Sequence, residues 1–558
     1  MKKFNNIILF AGEPNKENIP LGYFSSLATI PLRGKPIIWW QLENLKQQGI
    51  DNTILVLNRN NTKIIKYAMD VLSNNFNIKI VLISGQKSIL GSFKQGLKHA
   101  DIKIPTRVIL GDSLIIESFP DETDLILTSS KVGFSDNWCL LDKNESGIIE
   151  RFYDKQKNIN TEDKETVVGY YSFSDTRLIY NCSIKARLFA KKEISDAMNL
   201  YKEKISLKAQ ITENWYDLGH TSGLIEAKNV LFNARSFNKI HADTSLGLLS
   251  KVSTNIQKLE NEALWYKNIP DELKILTPRL ISFSKNERTA TLVQELYGYP
   301  SLAELFLSGD VNLEDWKIII EKLFSLHSYF EKFECSKNDK KLNILYYEKT
   351  RMRIDELKNQ HSFWGKVLGQ KTIWINKTKY INITELFQKI ESAIIELIKT
   401  SKMTIVHGDY CFSNILFDAS NYTFKLIDPR GHLNEDSYIY GDPRYDFAKL
   451  RHSICGLYDF IVNGLFKIEY DGEKFNYKIF SPSCYSKLIP IFDELISKIG
   501  LKINDIKLIE GLLFLSMIPL HKDDFNRQKV MYLHAVIKLN EALEDNTQNV
   551  VAKITECE

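Results

Sequence analysis

The run His407-Gly408-Asp409-Tyr410-Cys411-Phe412-Ser413-Asn414 places an aspartate five residues before an asparagine. Leu426-Ile427-Asp428 then sets a second aspartate fourteen residues beyond that asparagine, at the end of an apolar run that reads as a strand. No other feature restricts the chain as tightly. Phosphoryl transfer needs a carboxylate beside the acceptor hydroxyl, as base or orienting group. It also needs oxygen ligands for Mg²⁺ on the nucleotide phosphates. Asp409 suits the first task, and Asn414 and Asp428 suit the second. Upstream, Lys251 falls on a strand expected over Leu246–Ser253, with Glu262 or Glu260 on the helix after it. That is the spacing of the ion pair that holds the α and β phosphates in kinases. Glu295-Leu296, after Thr291-Leu292-Val293, falls where a hinge would meet adenine. His407 reads as a brace for the loop, and Asp442 and Asp446 read as hydrogen-bonding framework.

Composition narrows the class without naming a partner. The chain has 558 residues, 44% hydrophobic and 25% charged, with a net charge of +4. Those values exclude disorder as the main state, and they exclude collagenous and disulfide-scaffold classes. Near neutrality over this length gives no case for nucleic acid. Seven scattered cysteines with no C-x-x-C pair read as reduced, buried thiols. Met1-Lys2-Lys3 is followed by polar residues and only a short apolar run, so no signal peptide is expected. The longest later apolar stretch, Leu512 to Leu520, is too short to span a bilayer. A cytoplasmic protein without membrane insertion is expected, with small molecules and nucleotides as partners.

The first half alternates strands and helices. Ile7-Ile8-Leu9-Phe10 reads as a buried strand ending at Ala11-Gly12, and Ile37–Gln48 as a helix. Thr53–Leu57, Ile78–Ile83 and Arg107–Leu110 read as strands, Ser88–Ala100 as a helix, and Val167–Phe173 as β structure before a helix reaching Phe189. This alternation predicts an α/β domain with an open, mostly parallel sheet. The pattern changes near Asn233–Asp243. Leu246–Ser253 and Thr289–Glu295 read as strands, and from Ser301 helical periodicity dominates, as in Trp316–Phe333 and Ile383–Lys399. Domains are therefore expected over 1–235 and 236–558, the second with a small lobe over about 236–300 and a larger one over about 301–558. No Gly/Ser-rich or Pro-rich linker separates them.

From roughly Asn238 to Leu543 the pattern resembles the aminoglycoside phosphotransferase and choline kinase family, a resemblance that extends through Gly441-Asp442-Pro443-Arg444-Tyr445-Asp446 to Pro519-Leu520-His521. It implies an α+β, two-lobed kinase-like fold, Mg²⁺ with ATP as phosphoryl donor, and a small hydroxylated acceptor. Its glycine loop is reduced to Gly247 in Asp243-Thr244-Ser245-Leu246-Gly247.

From roughly Asn6 to Arg235 the chain resembles the sugar nucleotidyltransferases of the GT-A type. The matching segments are Phe10-Ala11-Gly12, Ile30-Pro31-Leu32-Arg33-Gly34-Lys35-Pro36, Leu110-Gly111-Asp112-Ser113 and Asn214-Trp215-Tyr216-Asp217-Leu218-Gly219. The resemblance implies that Asp112 and Asp217 hold Mg²⁺ and that Gly12 belongs to the nucleotide loop. Pro14 stands near the family's second glycine, Lys16 near its basic residue, and Ser26-Leu27 where Pro-Lys is usual. Arg33 or Lys35 could then take the phosphate-binding role. Together the two resemblances imply a bifunctional enzyme. A kinase makes an alcohol, polyol or sugar phosphate, and a nucleotidyltransferase couples it to CTP or another NTP for bacterial capsule or lipopolysaccharide synthesis. The alternatives are a kinase carrying an inactive scaffold domain, or a kinase acting on an antibiotic.

Overall fold

The computed structural model describes residues 3–12, 28, 30–32, 35–84, 88–131, 138–156, 159–219, 223–224, 226–227, 238–243, 245–309, 311–430 and 439–555. The chain divides into two compact units, Met1–Phe232 and Asn233–Glu558. Pro14, Lys16, Ser26, Leu27, Arg33 and Thr244 lie outside the described residues.

Unit 1 contains β1 (Asn5–Phe10), β2 (Pro31–Leu32), β3 (Lys35–Pro36), β4 (Thr53–Asn58), β5 (Ile78–Ile83), β6 (Thr106–Leu110), β7 (Ser113–Ile115), β8 (Leu125–Ser129), β9 (Cys139–Lys143), β10 (Ile149–Asp154), β11 (Glu165–Phe173), β12 (Lys208–Ile211) and β13 (Trp215–Asp217). Nine of these form one sheet, with the path β10-β9-β11-β6-β1-β4-β5 and with β8 joining β11 to β12. Strands β6, β1, β4 and β5 run parallel. Strand β11 runs antiparallel to β6, β8 and β9. All of β1 is buried, as a central parallel strand covered on both faces must be. The helix Ile89–Lys98 starts at Ser88, whose Oγ accepts the Gly91 amide. It crosses the sheet at Gly96, where an added Cβ would lie 2.8 Å from Ile7 Cγ2, so the helix can approach this closely only with glycine there.

Unit 2 begins with β14 (Asn238–Asp243), β15 (Leu248–Ser253), β16 (Leu280–Lys285) and β17 (Ala290–Glu295), an antiparallel sheet in the order β14-β15-β17-β16. The helix Ile256–Asn268 follows β15. The remaining strands are β18 (Thr372–Ile375), β19 (Thr378–Ile381), β20 (Thr404–Ile405), β21 (Ile415–Asp418), β22 (Thr423–Leu426), β23 (Tyr440–Gly441), β24 (Phe466–Tyr470) and β25 (Lys474–Ile479). They stand among long helices, including Leu313–Phe330, Pro443–Ile454, Ile503–Met517 and Phe525–Thr555. The sheet β19-β18-β25-β24 is not anticipated by the sequence pattern. Its strands are short and half exposed, so their apolar alternation is faint.

Three expectations change in detail. The helix expected over Trp316–Phe333 runs Leu313–Phe330, because Asn312 caps it through the Asp315 amide. The helix expected over Ile383–Lys399 is two helices meeting at Ile390, although the Ile394 amide still reaches the Ile390 carbonyl across the joint. Cys484 is exposed, whereas Cys182, Cys411 and Cys455 are buried. Among the described residues no helix is long and apolar enough to cross a membrane. The helix holding Leu512–Met517 is buried protein core instead.

Polar groups organise the centre of unit 2. The Asp446 carboxylate accepts the backbone amides of His407 at 2.7 Å and Gly408 at 2.8 Å. His327 Nε2 lies 3.2 Å from the same carboxylate, and its Nδ1 lies 3.1 Å from Glu331. Asp442 caps the helix Pro443–Ile454 and is gripped by Arg444, which also reaches Asp505 at 2.7 Å.

Two consequences are measurable. At Gly511 an added Cβ would lie 2.5 Å from Leu539 Cδ2, so Gly511→Ala should wedge apart Ile503–Met517 and Phe525–Thr555. A loss of about 1–3 kcal/mol in urea unfolding is expected, and an unchanged midpoint would show that Leu539 moves freely. The second concerns His327. Burial would lower its pKa, but Asp446 and Glu331 outweigh burial and raise it to about 9. The stabilisation is then complete below the unfolded value of about 6.5 and is lost as pH rises through about 9. The unfolding midpoint of the wild type should fall over that window more than that of His327→Gln, and parallel falls would remove His327 as the cause.

Candidate active sites

In unit 1, Asp112 and Asp217 come together from strands far apart in sequence. Strand β7 follows Asp112 and pairs antiparallel with β13, setting Asp217 opposite Ser113. The Leu218 amide donates to the Asp112 carbonyl at 2.7 Å, and the Gly219 amide donates to Asp217 Oδ1 at 2.9 Å. A Cβ position at Gly219 would lie 3.1 Å from Asp217 Oδ1 and 3.9 Å from Asp112 Oδ2, which puts both carboxylates around one point. Two oxygen donors so arranged fit a hard divalent cation.

Glycines make this approach possible. A Cβ on Gly111 would lie 2.4 Å from Phe10 Cδ1, and one on Gly223 would lie 1.9 Å from the Asp217 carbonyl oxygen. Gly169 has φ +84, and its missing Cβ leaves room for Ser113 Oγ. Gln41, buried on the helix Ile37–Gln47, ties the segment down from behind. Its Nε2 donates to the carbonyls of Leu110 at 2.9 Å and Ser113 at 2.7 Å.

A cavity opens beside the two aspartates, lined also by Trp138, Lys155, Glu193 and Trp215. Trp138 Nε1 donates to Asp217 Oδ2 at 2.9 Å, and its ring meets that of Trp215 edge-on at 5.7 Å. Lys155 Nζ pairs with Glu193 at 3.1 Å. Burial would lower the Lys155 pKa, but Glu193 and Asp154 outweigh it and keep the ammonium charged. Gly12 follows β1, two residues beyond the Phe10 ring that packs on Gly111. Lys35 lies over the Trp39 ring at 4.1 Å and does not line this cavity. Sequence pattern alone does not single out Gln41, Trp138, Lys155 or Glu193, because nothing local marks them.

In unit 2, five residues named from the motif converge. Lys251 Nζ lies 2.7 Å from Glu262 Oε1 and also contacts Asp428. Glu260 pairs with Lys285 instead, which decides between the two glutamates. The hairpin β21–β22 brings Asn414 and Asp428 together, since its first pair is Ile415 with Leu426 and the Ile427 amide donates to the Asn414 carbonyl at 2.9 Å. Asp428 has φ 54, a left-handed conformation that aspartate tolerates better than most residues. Asn414 Nδ2 donates to the Asp409 carbonyl at 2.9 Å and to Asp409 Oδ2 at 3.1 Å. Its Oδ1 is left facing the Ser413 hydroxyl at 3.4 Å.

Charge and burial compete throughout. Burial would lower the Lys251 pKa, but Asp428 and Glu262 raise it. Burial would raise the Asp428 carboxyl, but Lys251 holds it down. Burial would likewise raise Asp409, but Lys449, at 2.9 Å, and Arg430 hold it below the usual carboxylate range. Asp409 is therefore held ionised. His407 has its ring buried, and burial pushes its pKa down, so it stays neutral. Glu295 Oε2 accepts the Arg279 amide at 3.0 Å and the Tyr297 hydroxyl at 3.1 Å. The Leu296 amide donates to the Gly247 carbonyl at 2.8 Å, so that amide is already engaged at the expected hinge.

No curated protein matches the sequence. Among solved structures, the chain is similar to a UDP-glucose pyrophosphorylase complexed with UDP-glucose, at 17% identity over 42% of this chain and 100% of that one, with a TM-score of 0.34. It is similar also to a CTP:phosphocholine cytidylyltransferase from Streptococcus pneumoniae, at 17% identity over 41% of this chain and 100% of that one, with a TM-score of 0.33. The family model described as nucleotidyl transferase matches residues 6–233, nearly the whole of unit 1.

Proposed function

We propose that the chain performs two consecutive reactions, phosphorylating a small alcohol in unit 2 and coupling the phosphate to a nucleotide in unit 1. The observation that carries the kinase half is the meeting of Lys251, Glu262, Asp409, Asn414 and Asp428 around one point, from segments up to 177 residues apart. In this reading Asp409 takes the proton of the acceptor hydroxyl, and the Asn414 amide holds its carboxylate in place. Lys251, steadied by Glu262, meets the nucleotide phosphates. Asn414 and Asp428 would hold Mg²⁺, which supplies charge neutralisation as the γ-phosphoryl group moves.

In unit 1 the corresponding feature is the shared point between Asp112 and Asp217. They would hold Mg²⁺ on the α-phosphate of an NTP. Lys155, kept charged by its carboxylate neighbours, is placed to orient the incoming alcohol phosphate. That phosphate displaces pyrophosphate and leaves a nucleotide-activated alcohol, polyol or sugar. CTP is our first choice of donor, by analogy with the activation of such phosphates. Surface polysaccharide synthesis is the process that would consume the product, and the cytoplasm, where NTPs are made, is its place.

The two halves should fail separately. Asp409→Asn should slow phosphorylation by about 10²–10⁴ while leaving coupling intact when the phosphorylated alcohol is supplied. Asp112→Ala should stop pyrophosphate release while ATP-dependent phosphorylation continues. Products are read by mass after incubation with Mg-ATP and then CTP, UTP or GTP. A wild-type protein that releases no pyrophosphate with any NTP and its own kinase product would reduce unit 1 to a binding domain.

A further inference from the structure

Beside Asp112 and Asp217, the unit 1 cavity has a wall of aromatic rings and carboxylates to which the phosphate chemistry above gives no task. Trp138 and Trp215 meet edge-on, their ring centres 5.7 Å apart, and Tyr171 lines the same cavity. Trp215 opens β13, the strand that ends at Asp217, and Trp138 stands just before β9. Trp138 Nε1 already donates to Asp217 Oδ2 at 2.9 Å, and Trp215 Nε1 lies 3.5 Å from Ser113 Oγ. With their N–H groups so directed, the two rings offer a ligand chiefly carbon surface.

Two further carboxylates stand in this wall. Asp154 ends β10, opposite Cys139 and close to Trp138, whose carbonyl accepts the Lys155 amide at 3.2 Å. Asp154 Oδ2 accepts the Ser195 hydroxyl at 2.6 Å. A carboxylate has about four acceptor sites, so capacity remains. Glu193, at the start of the helix Ile194–Lys202, pairs with Lys155 Nζ at 3.1 Å. Among the described lining residues Lys155 is the one cation, against Asp154 and Glu193 besides the metal pair. The space these residues enclose is small, about 140 Å³. A cavity of about 150 Å³ holds one benzene, roughly six non-hydrogen atoms. That suits the organic part of an amino alcohol and is about half what a hexose needs.

We propose that the alcohol phosphate taken by unit 1 carries a small ammonium group, primary or fully methylated, set against the Trp138–Trp215 corner with Asp154 as its counter-charge. A cation is drawn to aromatic faces by their quadrupole, and a carboxylate beside it adds a direct charge partner. The hydroxyls of a sugar would instead ask this wall for donors that Asp217, Asp154 and Glu193 already engage. The inference rests on the nucleotidyltransferase reading of unit 1 and gives it a substrate class. In the transfer step an oxygen of the alcohol phosphate forms a bond to the α-phosphorus of the NTP. The bond from that phosphorus to the oxygen bridging the β-phosphate breaks, and pyrophosphate leaves with the electron pair. The ammonium group takes no part in bond making and serves to hold the phosphate in register.

The test uses the full-length protein with Mg²⁺ and each of CTP, UTP, GTP and ATP, reading pyrophosphate release and product mass. Phosphocholine is set against neohexyl phosphate, its uncharged carbon isostere, and phosphoethanolamine against propyl phosphate. Glucose 1-phosphate and glycerol 3-phosphate are added. The charged member of a pair should exceed its neutral partner in kcat/KM by about 10-fold, as a desolvated cation on an aromatic face does. Phosphocholine ahead of phosphoethanolamine would name the rings as the main anchor, and the reverse would name the carboxylate; either order supports the inference. Asp154→Asn should shrink the charged-to-neutral ratio, whereas a merely structural role would lower both members alike and leave the ratio. Trp138→Leu should shrink it too, and Trp138→Phe, which keeps a ring and gives up the bond to Asp217, should retain most of it. Ratios near one in the wild type, or glucose 1-phosphate or glycerol 3-phosphate outrunning both amino-alcohol phosphates, would overturn the inference and leave the nucleotidyltransferase reading standing. Ratios unchanged in both Asp154→Asn and Trp138→Leu would overturn it as well. Pyrophosphate from none of the phosphates with any NTP would count against the nucleotidyltransferase reading itself and take the inference with it.

Discussion

One carboxylate accepting two successive backbone amides holds the centre of unit 2. Asp446 receives the N–H groups of His407 and Gly408, and so fixes the loop carrying Asp409 to the buried helix Pro443–Ile454. Neither amide could be satisfied by water there, since Asp446 and His407 are fully buried. His327 returns a proton to the same carboxylate from a third element, the helix Leu313–Phe330. Three donors from two elements therefore meet one fully buried carboxyl group, which is how such a group stays satisfied away from water. Gly408, with φ 75, permits the turn that presents both amides to a single acceptor.

From that clamp the positions of the remaining groups follow. Once the loop is fixed, the Asp409 side chain meets Lys449 one turn further along the same helix. Asn414 bonds back to Asp409, and the hairpin after it returns the chain to Asp428. Asp428 meets Lys251 from the N-terminal sheet, and Trp265 Nε1 donates to the Val406 carbonyl at 2.8 Å from the helix beside that sheet. The conformation of Asp428, φ 54, is one that most side chains resist. Backbone bonds hold it on either side, from the Ile427 amide to the Asn414 carbonyl before it and from the Arg430 amide to the His407 carbonyl after it.

The sequence was informative where chemistry and local structure coincide. Asp409, Asn414 and Asp428 are separated by one short 3₁₀ turn and one hairpin, so spacing along the chain carries spacing in space. The parallel core of unit 1 was readable because a buried central strand is apolar without alternation, as Ile7–Phe10 is. Side chains that act from a distance left no such trace. Gln41 holds the Asp112 segment from about seventy residues away, and as a lone glutamine on an amphipathic helix it carries no signal. Lys449 looks like an ordinary helical lysine until the fold puts it against Asp409. Strands β18, β19, β24 and β25 are faint for another reason: half-exposed four- to six-residue strands with aromatic and lysine residues interleaved lack a clear period.

The two units answer one electrostatic problem in different ways. In the proposed reactions each must draw phosphate oxygens toward carboxylates that would repel them, and each sets a lysine beside its aspartates. In unit 1 the lysine is Lys155, paired with Glu193 and close to the charges of Asp154 and Asp112, so carboxylates outnumber it on the cavity wall and a divalent cation would offset them. In unit 2 the lysines are matched by carboxylates, Lys251 by Glu262 and Asp428, and Lys449 by Asp409. An acidic site filled by a metal suits a step in which both reactants carry phosphate, because the cation neutralises whichever reaches it. A site whose lysines are already paired with carboxylates suits positioning, because each pair holds both partners in place before a ligand arrives.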